Sequence, residues 1–126
     1  MSISLGQLAK ESLKQIVEEV DKGLKIYWEK QLDKGFGFED SQKELSRKII
    51  EHAKEHNLRP AKRVRAALVY YGYLLGTEKI EKKEEIEKVM EAMELIQTAL
   101  LMHDDFMDED KLRRGLPTTH EYFAER

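Results

Sequence analysis

Met90-Glu91-Ala92-Met93-Glu94-Leu95-Ile96-Gln97-Thr98-Ala99-Leu100-Leu101-Met102-His103-Asp104-Asp105-Phe106-Met107-Asp108 is the stretch from which the rest of the chain can be placed. At about 100° per residue, Met90, Met93, Gln97, Leu101, Asp104 and Asp108 fall on one face of a helix. That face is apolar in its first half, then mixes an amide with a leucine, then ends in carboxylates. It has the pattern of a pocket wall with an apolar depth and a charged mouth. The helix is expected to start within the charged run 78–87 and to reach about Glu109, with Gly115 and Pro117 ending it.

Five acids crowd the end of this helix: Asp104, Asp105, Asp108, Glu109 and Asp110. The macrodipole is negative there, and like charges one turn apart repel, so the placement breaks two local rules. Such conflicts gather at functional sites. A divalent cation removes this one, because magnesium favours hard oxygen ligands and takes one or two carboxylates together with substrate phosphate. The plain alternative is a solvated acidic helix end. Arg113 and Arg114 follow closely. Beside acids alone they would be surface pairs of little worth. Beside a metal-bound diphosphate they would make charge-assisted contacts.

Upstream, Arg59, Lys62, Arg63 and Arg65 cluster at the start of a helix expected over about Ala61 to Leu75. A helix N-terminus offers amides and a positive dipole end to a phosphate. Tyr70, Tyr71 and Tyr73 behind them read as packing residues. Two further helices are expected. Leu8 to Leu32 carries Leu13, Ile16, Val17, Val20, Leu24, Trp28 and Leu32 on one stripe, with Ile26 off it. The run Asp33 to Phe38 breaks it at two glycines. A second helix, capped by Asp40 or Ser41, carries Leu45, Ile49, Ile50 and Ala53. Gly76 is the expected C-cap of the third helix. A last short turn runs from Thr118 or Thr119 through Tyr122 and Phe123. No stretch alternates as a strand would. The fold class is all-α: an antiparallel helical bundle in one domain spanning 1–126.

Composition agrees. Charged residues make up 37% and hydrophobic ones 40%, which suits a folded helical protein rather than a disordered one. A net charge of -3, with no aromatic interleaving of the basic run, argues against nucleic acid. The absence of cysteine excludes thiolate metal sites and is compatible with a cytoplasmic setting. No signal peptide and no stable membrane insertion are expected.

Three pieces in order carry a resemblance. They are Lys62-Arg63-Val64-Arg65, then Glu94 through Asp108 with its DDxxD run, then Arg113-Arg114-Gly115-Leu116-Pro117-Thr118-Thr119-His120. Together they resemble the trans-isoprenyl diphosphate synthases, or polyprenyl synthetases, in their N-terminal part and at the geranylgeranyl-like end of the family. The resemblance implies the isoprenoid synthase fold. It also implies a magnesium-dependent condensation of isopentenyl diphosphate with an allylic diphosphate. Asp104, Asp105 and Asp108 would be the catalytic acids, with Asp104 and Asp108 as the Mg2+ ligands. Arg113 would contact the allylic diphosphate. Lys62, Arg65, Gln97 and Arg114 would hold isopentenyl diphosphate. Ala99 and Leu100 would set product length, and their lack of aromatic bulk favours a product of about twenty carbons or more. His103, Thr119 and His120 receive no role.

The chain departs from the family at Pro60-Ala61, where Gly-Gly is usual, and at Ala66, where proline is usual. A Pro-Ala pair is stiffer than two glycines. Family members also carry a second aspartate-rich motif on a later helix, and these residues hold one such motif. The expected active form is therefore a homodimer, or a heteromer with a chain that supplies the second motif. The alternatives are a non-catalytic regulatory subunit of a full-length synthase and an inactive truncated fragment.

Overall fold

The computed structural model describes residues 4–34, 39–77 and 79–124. Four long helices follow one another: α1 (Leu5–Leu32), α2 (Asp40–Leu58), α3 (Val64–Gly76) and α4 (Lys83–Met107). A two-stranded ribbon, β1 (Leu112–Arg113) and β2 (Leu116–Pro117), and a short α5 (Thr119–Ala124) complete them. Helix α4 is the hub, packing on α3, α1, α2 and α5. The all-α class holds.

α1 starts earlier than its apolar stripe, because Ser4 and Gln7 form a reciprocal capping box that satisfies two end amides. Its buried residues are Ile16, Val20 and Leu24, spaced one turn apart. They meet Ala66 and Ala67 of α3 and Ile86 and Met90 of α4. The two alanines let α3 lie close against its neighbours. Leu13, at the end of the expected stripe, is exposed, as is Ile26 off it. α1 ends at Leu32 with Asp33 as C-cap. The glycine break expected after it, at 35–38, lies outside the described residues.

α2 inverts its sequence pattern. Leu45 and Ile49, expected on the buried face, are 59% and 50% exposed. The buried residues are His52, His56 and Asn57 instead. The reason is hydrogen bonding. Asn57 accepts from Trp28 Nε1 at 2.8 Å and donates to Thr98 Oγ1 at 2.7 Å. His52 bonds Thr119 Oγ1 at 3.0 Å and stacks on Tyr122. His52 and Asn57 are buryable because they find partners, whereas His56 Nε2 is buried without a hydrogen bond, 3.9 Å from the Asp105 carboxylate.

Three smaller expectations need correction. Glu39, in a capping box with Gln42, is the N-cap of α2 in place of Asp40 or Ser41. Gly76 is the last residue of α3 rather than its cap, and extended Thr77 takes that position. The ribbon pairs Leu112 with Pro117 and Arg113 with Leu116. Its turn, Arg114-Gly115, has φ of 55° and 78°, the two positive values of a type I′ hairpin. Two-residue strands are too short to alternate, so no periodicity announces them.

Candidate functional site

α4 ends in a Schellman motif. The Asp110 amide donates to the Asp105 carbonyl at 3.0 Å and the Glu109 amide to that of Phe106 at 3.4 Å, with Glu109 at φ 55°. This ending fans the acids apart. Asp104 and Asp108 are exposed and one turn apart, whereas Asp105, turned by about 100°, is 0% exposed. Asp105 is clasped by Arg113, whose Nε lies 2.7 Å from both carboxylate oxygens while Nη2 also donates to Oδ1. His56 Nε2 sits 3.9 Å from the same carboxylate. The bond to Asp105 raises the Arg113 pKa above its ordinary value. The sequence groups Asp105 with Asp104 and Asp108; the structure sets it behind them as the anchor of Arg113.

The basic segment divides in the same way. Arg59 and Arg63 are buried, and Lys62 and Arg65 are exposed. Arg63 is the left-handed N-cap residue of α3, at φ 47°. Its Nε donates to Asp21 at 2.8 Å, Nη1 to Glu94 at 3.2 Å and Nη2 to the Asn57 carbonyl at 2.8 Å. Glu94 also accepts from the Ala66 amide at 3.2 Å, so this buried acid is shared between a guanidinium and a helix N-terminus.

Lys62, Arg65, Gln97 and Arg114 come together on one open cavity of about 330 Å³, with Pro60, Ala61, Val64 and Glu94 among its other walls. They arrive from the loop before α3, the first turn of α3, the middle of α4 and the ribbon turn. Glu94 is already committed to Arg63, so the cavity keeps a surplus of positive charge. Arg114 is pushed below the ordinary arginine range, first by partial burial and then by the Arg63 and Arg113 guanidiniums. It stays charged at any physiological pH. An anion in the cavity would relieve this repulsion.

The α4 face spanning Met90 to Asp108 runs from core to solvent rather than along one open wall. Met90 is 1% exposed and packs in the core, Met93, Gln97 and Leu101 are half-buried, and the aspartates are exposed. Ala99 and Leu100 lie on the exposed side of α4. Among the described residues, no three His, Cys, Asp or Glu side chains are grouped to hold a metal by themselves. Asp104 and Asp108 supply two hard oxygen donors, which fits magnesium completed by phosphate and water rather than a closed protein cage.

Sequence reasoning missed the supports. Arg59 and Arg63 read in the sequence as members of the phosphate-facing basic cluster, and Glu55 and Glu94 as ordinary surface charges, whereas all four brace the site from behind. Glu55 and Arg59 at i,i+4 hinted at a pair. Nothing local foretold that Asp21, 42 positions away, would meet Arg63.

The family pattern described as polyprenyl synthetase matches residues 47–126. The short chain isoprenyl diphosphate synthase of Methanocaldococcus jannaschii is 35% identical over 115 residues, covering 89% of this chain and 29% of that protein. The farnesyl diphosphate synthase of Haemophilus influenzae is 42% identical over 80 residues, covering 61% of this chain and 26% of that protein. A geranylgeranyl diphosphate synthase of Sulfolobus acidocaldarius is 59% identical over 29 residues, covering 23% of this chain and 9% of that protein. No solved structure matches. The chain thus spans less than a third of the length of these relatives. The match to most of the chain, together with the order of its basic, acidic and arginine motifs, makes this chain a member of the polyprenyl synthetase family.

Proposed function

We propose that this chain forms the diphosphate-gripping part of a magnesium-dependent prenyl diphosphate synthase, which joins isopentenyl diphosphate to an allylic diphosphate. The observation that carries the reading is the cavity where Lys62, Arg65, Gln97 and Arg114 converge from three parts of the chain. Its surplus positive charge and open mouth suit a diphosphate, the group that both substrates share. Lys62, Arg65 and Arg114 would hold the isopentenyl diphosphate by charge-assisted bonds, with the Gln97 amide fixing its orientation. Arg113, steadied by Asp105 through Nε and Nη2, makes no bond through Nη1 among the described residues and would offer it to the allylic diphosphate. Asp104 and Asp108 would hold Mg2+, whose chemistry is to stabilise the negative charge that develops on a departing diphosphate. Asp105 then contributes through Arg113 rather than as a ligand.

The remaining catalytic parts would lie outside these residues, and a second copy or another chain bearing a second aspartate-rich motif would be able to supply them. Ala99 and Leu100 would contribute to product length only once such a neighbour covers their exposed face. No described helix is long and apolar enough to cross a membrane.

The test is thermal unfolding with inorganic pyrophosphate and Mg2+, separately and together. The two together should raise the midpoint more than either alone, by mass action on the folded state. Asp104→Ala should remove the magnesium-dependent part, and Lys62→Ala should reduce the pyrophosphate part. A wild-type midpoint that ignores millimolar ligand and metal would sink the reading.

A further inference from the structure

Arg59 is 4% exposed, and four of its five N–H donors are engaged. Nε and Nη2 donate to the Glu55 carboxylate at 2.9 and 2.8 Å. Nη1 donates to the Arg113 carbonyl at 3.0 Å and Nη2 to the Pro117 carbonyl at 2.9 Å. The Arg59 backbone carbonyl accepts from Arg114 Nη1 at 3.1 Å. These bonds grip a carbonyl on each strand of the ribbon. They tie the ribbon to the segment that leads, three residues on, into Lys62 and α3.

We propose that Arg59 is a positioning residue that sets the spacing of the cavity cations without touching a ligand itself. The inference rests on the reading of that cavity as a diphosphate site. Three facts support it. The cations come from two pieces of chain, residues 62–65 and the ribbon turn, that no helix joins. The ribbon has two residue pairs, and so short a hairpin has little stability of its own. Lys62, Arg65 and Arg114 repel one another, and the Asp105–Arg113 clasp ties the ribbon only to α4, so without Arg59 the turn would swing Arg114 away from residues 62–65. Arg59 opposes that swing from both sides, through the ribbon's carbonyls and through the Arg114 side chain. Four of the five guanidinium donors are engaged in these bonds, so the arginine has little left for a ligand. The Arg59–Glu55 pair, whose glutamate is 46% exposed, adds little stability and serves to fix the geometry of the guanidinium. The result is a preorganised anion site.

The experiment is calorimetric titration of the full chain with inorganic pyrophosphate, below the unfolding temperature of each variant. Wild type should bind, and Lys62→Ala should weaken binding. Arg59→Lys keeps the charge but cannot hold two carbonyls and a carboxylate at once. It should weaken binding by about tenfold, the loss of one well-placed charged contact. In an Arg114→Ala background, the same change should have less than about a twofold further effect, because Arg59 acts largely through Arg114. A general loss of structure would show no such dependence on Arg114. If Arg59→Lys fails to fold, Glu55→Gln carries the test. It leaves the carbonyl bonds but loosens the brace, and should weaken binding by about threefold. Unchanged affinity in the folded variants, or fully additive effects with Arg114→Ala, would overturn the positioning role while the diphosphate reading stands. Absence of pyrophosphate binding by wild type would remove both.

Discussion

Glu109 holds a position that helices reserve for glycine. It is the left-handed residue of the Schellman motif that ends α4, at φ 55°. A side chain there costs about 1 kcal/mol relative to glycine. Glu109 also adds a negative charge beside Asp105, Asp108 and Asp110, at the negative end of the helix dipole. Glu109→Gly removes both penalties. It is expected to stabilise the fold by about 1 kcal/mol and raise the unfolding midpoint by about 4 °C. Differential scanning calorimetry on the two proteins checks this, and a lower midpoint in the variant would mean that the backbone is relaxed at Glu109. The arginines show the same division of labour at neighbouring positions. Arg63 and Arg59 face inward to acids and carbonyls, while Lys62 and Arg65 face the cavity. Charge in one dimension announces that a basic cluster exists. It does not announce which members find distant partners such as Asp21 and Pro117.

At the scale of elements, the four long helices were legible, but the buried face of α2 was not. The stripe Ile16, Val20 and Leu24 predicts its own burial. The buried face of α2 holds His52, His56 and Asn57, so a search for apolar periodicity picks the wrong side. The acidic and basic motifs were equally plain in the sequence. Their supports were not, because hydrogen bonds between helices leave no periodic trace. The polar face makes a pH prediction. Burial, followed by the charges of Arg59 and His52, lowers the His56 pKa to about 4. Asp105 pulls the other way, but its carboxylate is already committed to Arg113. His52 is lowered too, by burial first. A depressed histidine binds its proton more readily in the unfolded chain. Its contribution is therefore complete above about pH 6.5 and is lost as pH falls toward about 4. For His56 alone the loss by about pH 5 is on the order of 2 kcal/mol. Urea unfolding near pH 7.5 and near pH 5 should show wild type losing at least this much, and His56→Gln losing less. Equal losses in both proteins would remove His56 as the cause.

The whole molecule leaves apolar surface uncovered in an ordered way. Val89, Ile96, Leu100 and Met107 are all exposed on α4, and with half-buried Met93 they recur at alternating spacings of three, four and seven. That is the seam of a helix that pairs with another helix. A second copy of α4 can supply it, and the charges choose the direction. Lys82, Lys83 and Lys88 are balanced by Glu84, Glu85 and Glu87 at one end, whereas Asp104, Asp108, Glu109 and Asp110 at the other are uniformly acidic. A parallel pair would stack acid on acid, whereas an antiparallel two-fold pair sets the acids against an end of balanced charge. Centred on the middle of the seam, near Thr98, such a pair holds its two Asp104 backbones about 18 Å apart along the axis, at 1.5 Å per residue. One diphosphate cannot be gripped from both. The prediction follows in two parts. Sedimentation should show reversible dimerisation that Ile96→Lys, at an exposed position, weakens by about tenfold or more without lowering folding stability. Prenyl transfer should not rise as the dimer forms, and should be seen only when a chain carrying a second acidic helix is added. Specific activity that climbs with protein concentration in the pure chain would refute the antiparallel arrangement. It would mean that two copies of Asp104 and Asp108 do face each other across one cleft.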